Sequence, residues 1–175
     1  MILPGQPALR IASVGPEVGD RQALAERQPV EPQIVMIGEA PSPTSDPSDP
    51  FAGRPLRWLS WILKLSEEEV RSRMSFVNLL DRYPGRRFPI AEGRLAAEKL
   101  AIPKRGTWLL AGRAVGLCFG RRRSEMFRWF YLSDVRAAVV PHPSGLNRWW
   151  NDPANRERYA EFIRTVLDPD WVPQP

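Results

Sequence analysis

Short apolar runs that stop at a glycine, a proline or an asparagine constrain this chain more than any other feature. Gln33 to Ile37 runs into Gly38, Thr107 to Ala111 into Gly112, and Arg136 to Val140 into Pro141, while Ser75 to Leu80 carries Asn78 near its end. Short continuous apolar runs bounded by turn residues predict strands buried on both faces, as in a parallel sheet. The segments between them have helical spacing. Leu56, Leu59, Ile62 and Leu63 mark one face of a helix predicted over Pro55 to Leu65, with the proline in its first turn. Ser66 and Glu69 have capping-box spacing for a second short helix. Further helices are predicted over Gly93 to Leu100, from Gly112 to about Phe119, and over Asn155 to Val166, the last with Tyr159, Phe162, Ile163 and Val166 facing inward. Strands alternating with helices predict a three-layer α/β/α sandwich around a central, mostly parallel four-stranded sheet.

The 175 residues suit one domain. Its core is expected over residues 33–167, after an arm or cover at 1–32 rich in proline and glycine and before a tail at 168–175. The 25 Lys and Arg outnumber the 20 Asp and Glu, and most are arginines, whose planar forks match phosphate oxygens. That balance favours a nucleic-acid partner over a membrane or an acidic protein, although a solvated basic surface has the same composition. Cys118 is the one cysteine, so intramolecular disulfides and sites needing several thiolates are excluded. No apolar run nears the roughly 20 residues that span a bilayer, and the start lacks the order of a secretory leader, so a cytoplasmic protein is expected.

Three predicted loops leave the carboxyl ends of strands, the edge where open α/β sheets bind ligands. They carry Gly38-Glu39-Ala40-Pro41-Ser42, Asn78-Leu79-Leu80-Asp81-Arg82 and Pro141-His142-Pro143-Ser144. His142 is the single histidine of the chain. A lone histidine is ordinarily a half-buried side chain, but this one stands between two prolines, beside a serine and a glycine, in a loop stiff enough to present a donor. The loop after the first strand continues as a proline-rich stretch to Gly53, longer than a connector needs to be.

At these residues the chain resembles the uracil-DNA glycosylase superfamily, and most of all its iron-sulfur-type bacterial and archaeal branch, whose motifs have the forms GEAPG, FVGR, TNVVK and HPS. The matching segments here are GEAPS at 38–42, FAGR at 51–54, VNLLD at 77–81 and HPSGLNR at 142–148, in that order. Together with Trp108 to Gly112, they extend the resemblance over most of residues 33–167. It implies a DNA glycosylase without cofactor or metal that acts as a monomer on DNA, associated with the nucleoid. His142 is then the donor to pyrimidine O2, and Glu39 the acid that holds water or supports the sugar cation, with Asp46 and Asp49 as further acidic candidates. Phe51 is the ring on which the extruded base stacks, Asn78 the amide that reads its edge, and Ala40 a neighbour in the base pocket. Ser42 and Ser144 contact phosphates, and Gly145, Leu146, Asn147 and Arg148 fall where the family inserts its wedge.

Each residue also has a plainer role open to it. Glu39 could tie down loop N–H groups, Phe51 could be core packing, and Asn78 could end a strand. Arg121, Arg122 and Arg123 form either a DNA-facing patch or a solvated surface. Trp149 and Trp150 wall the base pocket or pack on the closing helix. The chain departs from the resembled branch in having one cysteine where the cluster takes four, and in a Ser/Thr/Asp/Pro loop where an acidic run guards against C5-substituted bases. The substrate implied is therefore uracil or a C5-modified or hypermodified pyrimidine, as in phage DNA, and the role is repair or defence. A non-catalytic DNA-binding or decoy protein of the same fold, and a nucleotide or nucleoside N-glycosidase, are the alternatives.

Overall fold

A computed structural model describes residues 34–101, 106–122, 125–144, 147–168 and 170. The expected arm at 1–32 lies outside them, as does most of the tail. The elements follow in the order β1 (Ile34–Gly38), α1 (Arg54–Leu63), α2 (Glu67–Arg73), β2 (Met74–Asn78), α3 (Ile90–Lys99), β3 (Thr107–Ala111), α4 (Arg113–Cys118), β4 (Trp129–Leu132), β5 (Val135–Val140) and α5 (Pro153–Leu167). The sheet order is β2-β1-β3-β5-β4. β2, β1, β3 and β5 are parallel, and β4 pairs antiparallel with β5 at the edge.

The sheet thus has five strands rather than the four expected. The additional strand, Trp-Phe-Tyr-Leu, is short and only partly buried, so it lacks the continuous burial that marks the parallel strands. All five residues of β1 are buried, as a strand flanked on both edges and covered on both faces must be. Alternate side chains serve opposite layers. Ile34 and Met36 join Leu56, Leu59, Val70, Tyr159 and Ile163 in one apolar cluster, beneath α1, α2 and α5. Val35 and Ile37 join Trp108, Leu110, Val115 and Cys118 in the other, which borders α3 and α4. This is the expected three-layer sandwich.

Local signals hold where the chemistry is local. Ser66 accepts from Glu69 N–H at 3.1 Å and the Glu69 carboxylate accepts from Ser66 N–H at 2.7 Å, completing the capping box. The closing helix begins at Pro153, earlier than its apolar spacing indicates, because the Asp152 carboxylate caps it through Ala154 N–H.

Leu109 lies at the centre of the sheet with no exposed surface. Leu109→Ala is expected to lower the unfolding free energy by about 2–5 kcal/mol, measured by urea denaturation followed by circular dichroism.

Candidate active site

The parallel register brings the strand ends level. Gly38 is paired with Asn78, Ile37 with Leu110, and Ala111 with Val140. The β1–β2 ladder runs on past the strands, with Leu79 N–H donating to Gly38 O and Leu80 N–H to Glu39 O, each at 3.0 Å. On the other side Gly112 N–H donates to Val140 O at 2.8 Å. Above these ends opens a cleft of about 1220 Å³. Glu39, Ala40, Ser42, Asp46, Asp49 and Phe51 line it, as do Asn78, His142, Ser144 and Asn147.

Two glycines set the spacing inside the cleft. A Cβ on Gly38 would come within 2.5 Å of Asn78 Oδ1 and 2.6 Å of the Phe51 ring. The amide and the ring therefore rest on bare backbone. A Cβ on Gly112 would lie 3.3 Å from His142 Cβ and 3.4 Å from Glu39 Oε1, so the imidazole and the carboxylate flank this second glycine. Gly112 has φ +101°, a conformation that L side chains rarely adopt.

Phe51 connects the two halves. Its ring centroid is 5.6 Å from that of His142, with the planes 20° apart, and 5.2 Å from that of Phe76. It is both core packing and cleft wall, being only 7 % exposed. Its backbone is left-handed at φ 66°, a strained position for an aromatic residue.

Burial tunes the two ionisable groups. His142 is pushed down to about 4 by loss of solvation, which leaves a neutral imidazole that donates through one N–H and accepts at the other nitrogen. Burial raises Glu39 above the usual carboxylate value, making it the stronger base.

The other acidic candidates line the same cleft with partners of their own. Asp46 is exposed and accepts from Ser48 N–H and Oγ–H at 2.8 and 2.7 Å, bonds that hold its carboxyl below its usual range. Asp49 forms an ion pair with Arg71 of α2 at 2.8 Å. Ser42 and Ser45 share a hydroxyl hydrogen bond at 2.6 Å. Asn147 lines the cleft, but its side-chain oxygen accepts Trp149 N–H at 3.1 Å and caps the helical turn Arg148–Asn151. Trp150 is packed at 3 % exposure.

Arg121, Arg122 and Arg148 are not among the cleft-lining residues. The Arg121 guanidinium covers the Phe130 ring at 4.1 Å, Arg122 N–H donates to the Glu125 carboxylate at 2.6 Å, and Arg148 is exposed. Arg123, Gly145 and Leu146 lie outside the described residues. The cations that do line the cleft are Arg54, Arg86 and Arg113, with Tyr83 beside them. Arg54 closes the FAGR segment and Arg113 follows the strand-ending Gly112, so position alone could have singled out both. Among the described residues the ion pairs are Arg71–Asp49 and Arg82–Glu92, and neither uses these three.

A family model described as the Uracil DNA glycosylase superfamily matches residues 25–167. The chain belongs to the uracil DNA glycosylase superfamily. That superfamily generally hydrolyses N-glycosyl bonds in DNA. No curated protein matches the chain in sequence. Cys118, the chain's sole cysteine, has its thiol 3.8 Å from Ile90 O, where burial pushes it up to about 11. One buried thiol does not fit a cluster that takes four thiolates. Among the described residues no helix is long and apolar enough to cross a membrane.

A stability signature follows from His142. The unfolded chain takes up a proton near the ordinary 6.5 and the folded protein only near 4. Between those values the unfolded state binds more protons, so stability is lost as pH falls through that window. Denaturant unfolding at a series of pH values should show this loss in the wild type and a shallower one in His142→Gln. Parallel curves would count against a neutral, desolvated imidazole.

Proposed function

We propose that this protein is a monofunctional DNA glycosylase that extrudes a pyrimidine from DNA and hydrolyses its N-glycosidic bond, leaving an abasic site. The observation that carries this reading is the meeting of Glu39 and His142, which follow two different strands, against Gly112. Rupture of the C1′–N1 bond sends its electron pair to the base and leaves an oxocarbenium-like sugar. A catalyst must therefore stabilise a developing anion at one point and a cation at another.

His142 suits the anion. A neutral imidazole N–H directed at pyrimidine O2 strengthens its hydrogen bond as charge builds there, without having to give up its proton. Glu39 suits the other side. Its carboxylate orients a water whose oxygen bonds to C1′, and its raised basicity equips it to take the proton released. Phe51 offers a ring to the extruded base and Asn78 an amide, with donor and acceptor, to its edge. Arg54, Arg86 and Arg113, which line the cleft, supply positive charge to the flanking phosphates.

The cleft volume and its small-residue wall, Pro43, Thr44 and Ser45, favour a pocket open to uracil and to pyrimidines with a C5 substituent. Excision then serves base repair or defence against modified phage DNA. Defined oligonucleotides carrying uracil or larger C5-modified pyrimidines, assayed for alkali-labile sites, identify the base.

His142→Leu is expected to lower excision by roughly 10²-fold or more, the scale of losing one oxyanion donor, with DNA affinity retained. Turnover near wild type would remove His142 from the reaction. For Arg113→Ala, the slope of log affinity against log salt should become shallower by about one unit. Binding independent of salt in the wild type would overturn the assignment of DNA as substrate.

A further inference from the structure

The geometry points to Trp150 as a positioning residue for His142, acting through its indole N–H on the backbone of the histidine loop. This inference rests on the reading of His142 as the donor to the leaving base. Trp150 Nε1 donates to His142 O at 3.0 Å. The same carbonyl accepts Ser144 N–H at 2.8 Å, so both of its acceptor positions are used inside the protein. The indole is clamped by neighbouring rings. The centroid of Trp149 lies at 4.8 Å, Tyr159 at 4.9 Å and Trp58 at 5.9 Å, all edge-on. A ring held on several sides at 3 % exposure has its N–H direction fixed by packing on α1 and α5. The histidine loop is thereby tied to the helical layer as well as to its own strand.

The depth of the loop governs what His142 can do. Its ring lies over Phe51 at 5.6 Å and beside Gly112. The ionisable groups lining the cleft around it are Glu39, Asp46, Asp49, Arg54, Arg86 and Arg113, with the Tyr83 phenol. Glu39 is the one placed at Gly112 next to the ring. Loss of the Trp150 bond frees an acceptor on the loop, lets the loop rise, and returns the imidazole to water. The ring then gains solvation and lies farther from the reacting base.

Because the chain has a single histidine, imidazole NMR reads this position without ambiguity. The test compares the wild type with Trp150→Phe and with 3-benzothienylalanine introduced at position 150, an analogue that keeps the bicyclic shape and lacks the N–H. Both variants are expected to titrate His142 at higher pH than the wild type, nearer the ordinary 6.5. They should also lose roughly 10-fold in kcat on a uracil-containing oligonucleotide, with KM within about 2-fold. If Trp150→Phe does not fold, the analogue alone decides. An unshifted titration in a folded variant overturns the proposal, whatever the turnover. A shifted titration with undiminished kcat supports the positioning bond and instead overturns the role of His142 in the chemistry.

Discussion

Everything at the cleft depends on one constraint, the backbone ladder that joins β1 to β2 on one side and to β3 on the other. A parallel ladder fixes register as well as adjacency, and here it brings strands distant in sequence to a stop at a common level. Glu39 and His142 are over a hundred residues apart in the chain, yet each lies within two residues of the end of a strand of the same sheet. A slip of one residue in either pairing would turn the apolar side chains of that strand to the wrong layer. Core packing on both faces therefore protects the site's geometry without any contact devoted to it.

Backbone alignment leaves the side chains a few ångströms apart, and bare backbone allows the rest. At Gly38 the missing Cβ is the space occupied by the Phe51 ring and the Asn78 amide. At Gly112 the missing Cβ leaves room for the Glu39 carboxylate and for His142. Both glycines border buried strands, so closeness is achieved where the framework is stiffest. Burial then adjusts the chemistry, keeping the imidazole neutral and raising the carboxylate's basicity.

The parallel strands were legible in the sequence because each is a short apolar run with a marked end, and the resemblance in motif order indicated which ends matter. β4 was not legible, since its four residues, three aromatic and one leucine, are partly exposed and owe their strand conformation to pairing with β5. The acidic candidates of the proline-rich loop show another limit. Asp46 and Asp49 have the chemistry of general bases, but Ser48 and the distant Arg71 engage them, and no local pattern reveals a partner 22 residues away. The arginine run at 121–123 was conspicuous in sequence, whereas the cations lining the cleft stand singly, Arg54 and Arg113 at the starts of α1 and α4 and Arg86 in the segment between β2 and α3. Composition shows that positive charge is present, and the fold shows that Arg86 joins Arg54 and Arg113 at the cleft.

The proline-rich loop between Pro41 and Phe51 has a consequence for how such a protein diversifies. It forms a wall of the cleft, but among the described contacts its side chains are held chiefly by their own neighbours and by the Asp49–Arg71 pair. Its residues between Ser42 and Asp49 are largely exposed and contribute nothing to either apolar cluster. Mutations and length changes there can alter the shape presented to a base while the sheet keeps its carboxylate and imidazole in place. Under the proposed function, substrate range and bond-breaking chemistry would then be separable heritable traits. A lineage confronted with a new base modification could explore the first without risking the second.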